Sequence, residues 1–238
     1  MSKIEWSPID KRIYWTGLDK GILFVKDDDW YQNGIPWNGL INIYEETSNF
    51  EFRSVYQDNI KIVTYAIGED FNFSMEAYTY PDEFGYCDGT AHILEGICIP
   101  QQDRKPFSIC YRTTICKSNR NGYKLHVIYN ATAAVSEKVY NSIITDNVTT
   151  FSWDCETTPI LCNGYKPTSW ITVDSTKVLP ANLEKLENIL YGTDDTESRL
   201  PTIEEIIDIL TTKERVYRVL INNRGQRLTS QHGKKITL

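Results

Sequence analysis

Polar and apolar residues alternate along several stretches of this chain. In residues 71–80, Phe71, Phe73, Met75, Ala77 and Thr79 share one face, and Asn72, Ser74, Glu76, Tyr78 and Tyr80 share the other. Residues 107–115 set Phe107, Ile109, Tyr111 and Ile115 opposite Ser108, Arg112 and Thr114, and residues 123–129 set Tyr123, Leu125, Val127 and Tyr129 against Lys124 and His126. Phe151, Trp153 and Cys155 oppose Ser152, Asp154 and Glu156. Successive side chains of a strand point to opposite faces, so each segment predicts a strand with one face buried. Residues 39–46, 51–56, 59–67 and 168–174 are further strand candidates. Asn-Gly pairs at 33–34, 121–122 and 163–164 mark turns, the second as part of a hairpin connection.

The period changes late in the chain. Leu183, Leu186, Ile189 and Leu190 recur at helical spacing between Pro180, suited to a helix start, and Gly192, suited to a stop. Thr202 and Glu205 fit a capping box ahead of Ile203, Ile206, Ile207 and Leu210. The connector 193–201 is polar, and residues 216–238 read as a ragged hairpin or arm. The expected fold class is mainly β, a β-sandwich or barrel-like sheet with one or two flanking α-helices. Strand faces rich in Tyr, Thr and Glu are left over for solvent or partners.

Charge divides the chain in two. From Lys213 onward there are seven Lys/Arg and one acid; removing these from totals of 25 and 32 leaves 18 bases and 31 acids in residues 1–212, a net −13. The expected organisation is therefore one acidic β domain, residues 1–212, and a basic C-terminal arm, residues 213–238. An acidic body argues against holding a phosphate backbone as its main task. The arm suits docking on an acidic neighbouring subunit, with nucleic acid as the alternative. No apolar stretch follows Met1, so neither a signal peptide nor a membrane span is expected. The six cysteines show no zinc-like spacing and read as reduced thiols.

Catalytic motifs are missing. No nucleophile elbow, phosphate loop, zinc helix or dinucleotide fingerprint occurs, and the three histidines, His92, His126 and His232, lie far apart in sequence. His126 reads as a surface or interface residue. Asp27-Asp28-Asp29 lacks the glycine and distal glutamate of a calcium loop, and Cys110, considered as a thiol nucleophile, falls on a strand where packing is the simpler role. No enzyme activity, metal or cofactor is expected.

An ordered series of stretches resembles the major tail tube proteins of long-tailed, siphovirus-like bacteriophages and phage-derived particles. It runs through PWNGL at 36–40, YQDNI at 56–60, TYPDEFGYCDG at 79–89, QQDRKPFSICYRT at 101–113 and GYKLHVIY at 122–129. It continues through Ser136-Glu137-Lys138, Phe151-Ser152-Trp153 with residues 157–159, DSTKV at 174–178, and LENILYG at 186–192 with Leu200-Pro201. The match covers roughly residues 15–210 in one consistent order; the basic arm lies beyond it. The resemblance implies a β-sandwich flanked by a helix, and homohexameric rings that stack into a hollow tube. Strands from six subunits would close an inner barrel with an acidic lumen, through which genomic DNA passes without sequence-specific binding. It also implies neighbours among the other tail proteins (tape measure, tail terminator, distal tail), no membrane partner, and a place in the virion tail, assembled in the bacterial host cytoplasm.

Within that frame, residues 40–67 and 71–80 are expected to supply much of the inner-barrel sheet, with Glu45, Glu51 and Glu76 as candidates to face the bore. The segment 81–104, carrying Pro81, Asp82, Glu83, Phe84 and Arg104, is the candidate intersubunit or inter-ring loop. Arg104 and Arg112 are candidates to pair acids such as Asp82 or Glu83 across an interface. A carbohydrate-binding or decoration module of a virion, built on a β-sandwich with exposed Tyr and Trp, is the alternative reading.

Overall fold

The alternating segments pair with partners distant in sequence. A computed structural model of the protein describes residues 4, 6, 8, 12–48, 51–67, 70–116, 122–138 and 148–211. The basic arm 213–238 and Asn121 of the 121–122 turn lie outside the described residues. The strands are Tyr14–Asp27 (β1), Trp30–Tyr31 (β2), Ile35–Trp37 (β3), Leu40–Ser48 (β4), Glu51–Gln57 (β5), Ile60–Ile67 (β6) and Asp70–Ala77 (β7). A single turn of 3-10 helix at Asp82–Phe84 and a short helix, Gly85–Asp88 (α1), precede Ala91–Leu94 (β8) and Ile97–Ile99 (β9). Phe107–Cys116 (β10), Gly122–Lys138 (β11), Phe151–Thr157 (β12) and Trp170–Asp174 (β13) complete the strands, and Pro180–Tyr191 (α2) and Ile203–Thr211 (α3) close the chain's described part.

Nine strands form one antiparallel sheet along the path β2-β1-β10-β11-β12-β7-β4, with β13 added to β11 and β3 to β1. The corner is in β11. Up to Ala131 it pairs with β10 on one side, and over Lys124–Ile128 with β13 on the other; beyond that point it pairs with β12. At the change Asn130 takes φ +51, its N–H donates to Ser108 Oγ at 3.1 Å, and the register against β10 slips. One left-handed residue breaks the alternation of faces. Leu125, Val127 and Tyr129 therefore join one apolar cluster, while Ala131 and Ala133 join the other.

Two leaves result. β1, β10, β13 and the first half of β11 form one; the second half of β11 with β12, β7 and β4 forms the other. Between them lies a core in which Leu23, Val25, Phe107, Ile109, Tyr111 and Ile128 face Phe71, Phe73, Met75, Ala77, Trp153 and Cys155. The outer face of the first leaf carries Ile22, Phe24, Cys110, Leu125, Val127 and Tyr129, covered by Leu183, Leu186 and Leu190 of α2 and Ile203 and Ile206 of α3. The fold is thus mainly β, a large antiparallel sheet with small accessory sheets and, among the described residues, three helices.

The helices follow their sequence signals. Pro180 opens α2 and Gly192 follows its last residue. Glu205 N–H donates to Thr202 Oγ1 at 3.2 Å, giving α3 half of its capping box, while the Glu205 carboxylate pairs with Arg199 instead of turning back.

Three expectations need correction, and one strand was missed. Residues 107–115 are not half-buried: β10 buries Ser108 and Cys110 as fully as Phe107 and Ile109, because helices cover its second face. β1 was not visible as a strand, since bulges at Gly17 (φ +70) and Lys20 (φ +49) interrupt its period, and Ile22–Val25 is then buried on both sides. Residues 51–67 do not extend the main sheet; β5 and β6 pair with each other as a separate two-stranded sheet. The segment 81–104 contains a helical turn, α1 and the β8–β9 hairpin where a loop was expected.

Candidate functional site

The second leaf leaves one face open. Cross-strand register puts Asn42 opposite Glu76, Tyr44 opposite Ser74 and Glu46 opposite Asn72; on the other side of β7, Ser152, Asp154 and Glu156 stand opposite Glu76, Ser74 and Asn72. Thr132 and Ala134 of β11 continue these rows against Glu156 and Asp154. Glu46, Asp70, Asp154 and Glu156 are exposed and Glu76 half-buried. Among the described residues of these rows there is no Lys or Arg. The opposite parity of β7 and β12, with Phe71, Phe73, Met75, Ala77, Trp153 and Cys155, is committed to the core, which leaves this face acidic and polar.

The same leaf has two unpaired edges. Among the described residues β4 pairs with no strand but β7, and beyond Ala131 the edge of β11 that β10 used has no strand partner. Unpaired edges present rows of unsatisfied N–H and C=O groups and are competent to add another strand.

Register separates the three expected bore residues. Glu76 lies on the open face and accepts from Asn42 Nδ2 at 3.0 Å. Glu45 pairs with Phe73 and therefore points the opposite way, between the leaves. No single lining can contain both. The side chain of Glu51 lies outside the described residues.

Glu45 instead closes the open end of the sandwich. Its carboxylate accepts from the Tyr111 hydroxyl and lies 3.1 Å from His126 Nδ1. The Tyr111 and His126 rings stack at 4.7 Å, and Thr113 Oγ1 is 3.0 Å from His126 Nε2. His126, expected at the surface or an interface, is half-buried, with its side chain 13% exposed. The hydrogen bond from His126, aided by that of Tyr111, outweighs burial and holds the Glu45 carboxyl below the usual carboxylate range. Burial, with Glu45 beside it, pushes the Tyr111 phenol well up. A depressed folded-state pKa contributes stability that is present above the unfolded value, about 4.3, and lost as pH falls through the folded value. Glu45→Gln is expected to cost about 1–2 kcal/mol at pH 7, at the lower end for a charged hydrogen bond because the carboxylate is 38% exposed. In urea titrations the deficit should shrink as pH falls below about 4.3; a deficit constant with pH would show the charge to be immaterial.

The segment 81–104 splits by role. Phe84 is fully buried, with its ring 4.6 Å from Trp37, 5.1 Å from Trp153 and 5.3 Å from Phe107. It belongs to this chain's core and is not a contact residue. Pro81 is half-buried, and Asp82 and Glu83 are exposed. Arg104 donates from Nε to the Asp88 carbonyl at 3.3 Å, within the same segment. Arg112 is also satisfied within the chain. It makes a two-pronged pair with Asp19 at 2.9 and 3.0 Å, which lowers the Asp19 carboxyl, and it lies 3.6 Å from Glu187.

Large apolar side chains stand exposed on the β5–β6 hairpin: Phe52 is 70% and Ile60 69% accessible, with Tyr56, Ile62 and Val63 also exposed. Sequence reading placed this segment in the sheet and so missed it as a projecting arm. Of the chemistry considered earlier, Cys110 is buried and its thiol pushed far up by desolvation, and Asp27 pairs with Lys105 at 2.8 Å. Among the described residues no three His, Cys, Asp or Glu cluster as metal ligands.

No family model and no curated protein matches the chain. Among solved structures it is similar to a chain of the extended-state sheath-tube complex of the extracellular contractile injection system PVC, at 11% identity and TM-score 0.33, covering 65% of this chain and 88% of that one. It is also similar to the tube-terminating cap of the anti-feeding prophage (9% identity, TM-score 0.34, 73% and 95% covered). A chain of the PVC sheath/tube terminator in the extended state matches at 11% identity and TM-score 0.31, with 72% and 99% covered. Scores and identities this low transfer neither function nor assembly, so the functional reading stands on this chain's own residues.

Proposed function

We propose that this chain is a structural subunit of a phage tail or tail-like particle, closing into hexameric rings that stack into a hollow tube through which DNA is ejected into the host cell. The observation that carries the proposal is the leaf β4-β7-β12-β11, with both edges unpaired and one face acidic and open. Its four strands alternate in direction, so β4 and the second half of β11 run antiparallel. The β4 edge of one copy can therefore continue the sheet onto β11 of the next, and repetition around a ring closes a barrel without edges. The sequence resemblance supplies the number six.

In that ring Glu46, Asp70, Glu76, Asp154 and Glu156 line the bore, where negative charge repels DNA phosphates at short range and lets the genome slide. The β5–β6 hairpin reaches onto a neighbouring copy, which covers its apolar side chains. Asp82, Glu83 and the exposed β8–β9 hairpin supply further contacts, and the basic arm docks on an acidic neighbour. Tape measure, terminator and distal tail proteins are the other partners, in a virion tail assembled in the bacterial cytoplasm. The role is structural, with no catalysis and no cofactor.

Electron microscopy of concentrated protein tests this. Rings or tubes about 100 Å wide or smaller are expected from the sheet spacing. Ile60→Asp with Ile62→Asp, at exposed positions, should leave subunit stability within about 0.5 kcal/mol while abolishing assembly. Asp154→Lys with Glu156→Lys should leave tubes intact and impair DNA passage. A wild-type protein that stays monomeric at high concentration and binds glycans would overturn the reading in favour of a carbohydrate-binding module.

A further inference from the structure

Six cysteines divide sharply by environment. Cys87, Cys110, Cys155 and Cys162 are buried and Cys116 is half-buried, whereas Cys98 is exposed. Burial pushes the Cys87 thiol up to about 12 and those of Cys110 and Cys155 further still, so these stay protonated and inert. Cys98 stands opposite His92 across the β8–β9 hairpin, with its Sγ 3.2 Å from His92 Nδ1. The imidazole is held over α1, where a Cβ on Gly85 would come within 2.5 Å of Nε2, and the Tyr86 ring lies 5.9 Å away. Beside the pair opens a groove of about 480 Å³, walled by Tyr78, Tyr80, Phe151 and Pro100.

We propose that Cys98 and His92 form a thiol–imidazole pair that makes Cys98 a site of covalent modification by soft electrophiles, low-molecular-weight disulfides foremost. The chemistry is nucleophilic activation by an adjacent base. His92 Nδ1, as acceptor in the neutral ring, takes the thiol proton. The Cys98 thiolate attacks one sulfur of the disulfide, a new S–S bond forms to Cys98, and the old S–S bond breaks, releasing the other half as a thiolate. The leaving group departs as a thiolate, the proton passes from the imidazolium to solvent, and the count of disulfide bonds is unchanged. Aromatic walls beside the sulfur suit a flat, aryl-bearing reagent in the groove. Asp82 also lines this groove and Tyr86 faces His92; Glu95 sits in the hairpin's own turn.

The test uses the full chain as unassembled subunit and is independent of whether it forms tubes. The protein is mixed with an aryl disulfide, a nitrobenzoate dimer whose released thiolate is coloured, from about three units below an ordinary thiol's pKa of about 8.5 to about one unit above it. One thiol per chain should react fast, ahead of the five less accessible ones. Cys98→Ser should remove the fast phase, and peptide mass mapping of the wild type should place the adduct on Cys98. His92→Asn, which removes the base 3.2 Å from the sulfur, should slow the fast phase about 5-fold at neutral pH. A His92→Asn profile superimposable on the wild type overturns the pairing. An adduct on Cys116, or a fast phase that survives Cys98→Ser, overturns the site.

Discussion

Phe84→Ala is expected to lower the free energy of unfolding by about 3–5 kcal/mol, the range for deleting a buried aromatic ring. Nothing about its sequence neighbours suggests so large an effect. Asp82, Glu83 and Gly85 flank it in a polar, turn-forming stretch, yet its ring is enclosed by Trp37, Trp153, Phe107 and, at 6.2 Å, Tyr80. Most of these are tilted or edge-on contacts, which add to the burial itself. The surrounding strands are fixed by their ladders and cannot collapse into the space, so the cavity persists. A fall in melting temperature on the order of 10 °C should accompany the loss. The neighbouring exposed acids provide the control: Asp82→Ala and Glu83→Ala should stay within about 0.5 kcal/mol. If urea titration finds less than about 1 kcal/mol for Phe84→Ala, the segment 81–104 is not pinned to the core by this ring.

Gly39→Ala is expected to cost about 3 kcal/mol, at the upper end for over-packing. The position does not need glycine for a left-handed backbone; it needs the absence of a Cβ. A Cβ there would stand 2.3 Å from Thr79 Oγ1, 2.4 Å from Thr79 O and 2.6 Å from Thr79 N. Two of these are backbone atoms, and they are held: Tyr78 N–H donates to the Gly39 carbonyl at 2.8 Å, and Trp37 Nε1–H donates to Thr79 O at 2.8 Å. The clash must be relieved by moving the start of β4 away from the end of β7, which strains the edge strand proposed to join subunits. Gly39→Ala should therefore impair assembly as well as lower the urea midpoint. A midpoint equal to that of the wild type would mean the 78–79 segment yields freely.

Parity was the most reliable message in the chain. It set the buried faces of β7 and β12 correctly, and it also contained what was overlooked at β4, where Ile43 and Glu45 share one parity and Asn42, Tyr44 and Glu46 the other. Reading Glu45 by its charge sent it to a bore; its parity with Ile43 turns it to the other side of β4, where its partly exposed carboxylate accepts from Tyr111 and lies beside His126. β1 hid for the opposite reason, since bulges at Gly17 and Lys20 destroy the period over a strand of fourteen residues.

By itself the sequence determined the class of fold, the start of both late helices and the stop of the first, the faces of β7 and β12, and the acidic excess of the body, because these depend on local periodicity, capping chemistry and composition. The tertiary structure decided the rest. Asn130 turns one strand into the corner of two leaves, and the pairing of β7 with β4 and β12 sorts the carboxylates, Glu45 toward Tyr111 and His126, and Glu46, Glu76, Asp154 and Glu156 onto one open face. Which residues meet across a sheet is fixed by strand order and register between segments up to about a hundred positions apart, and no local pattern encodes that order.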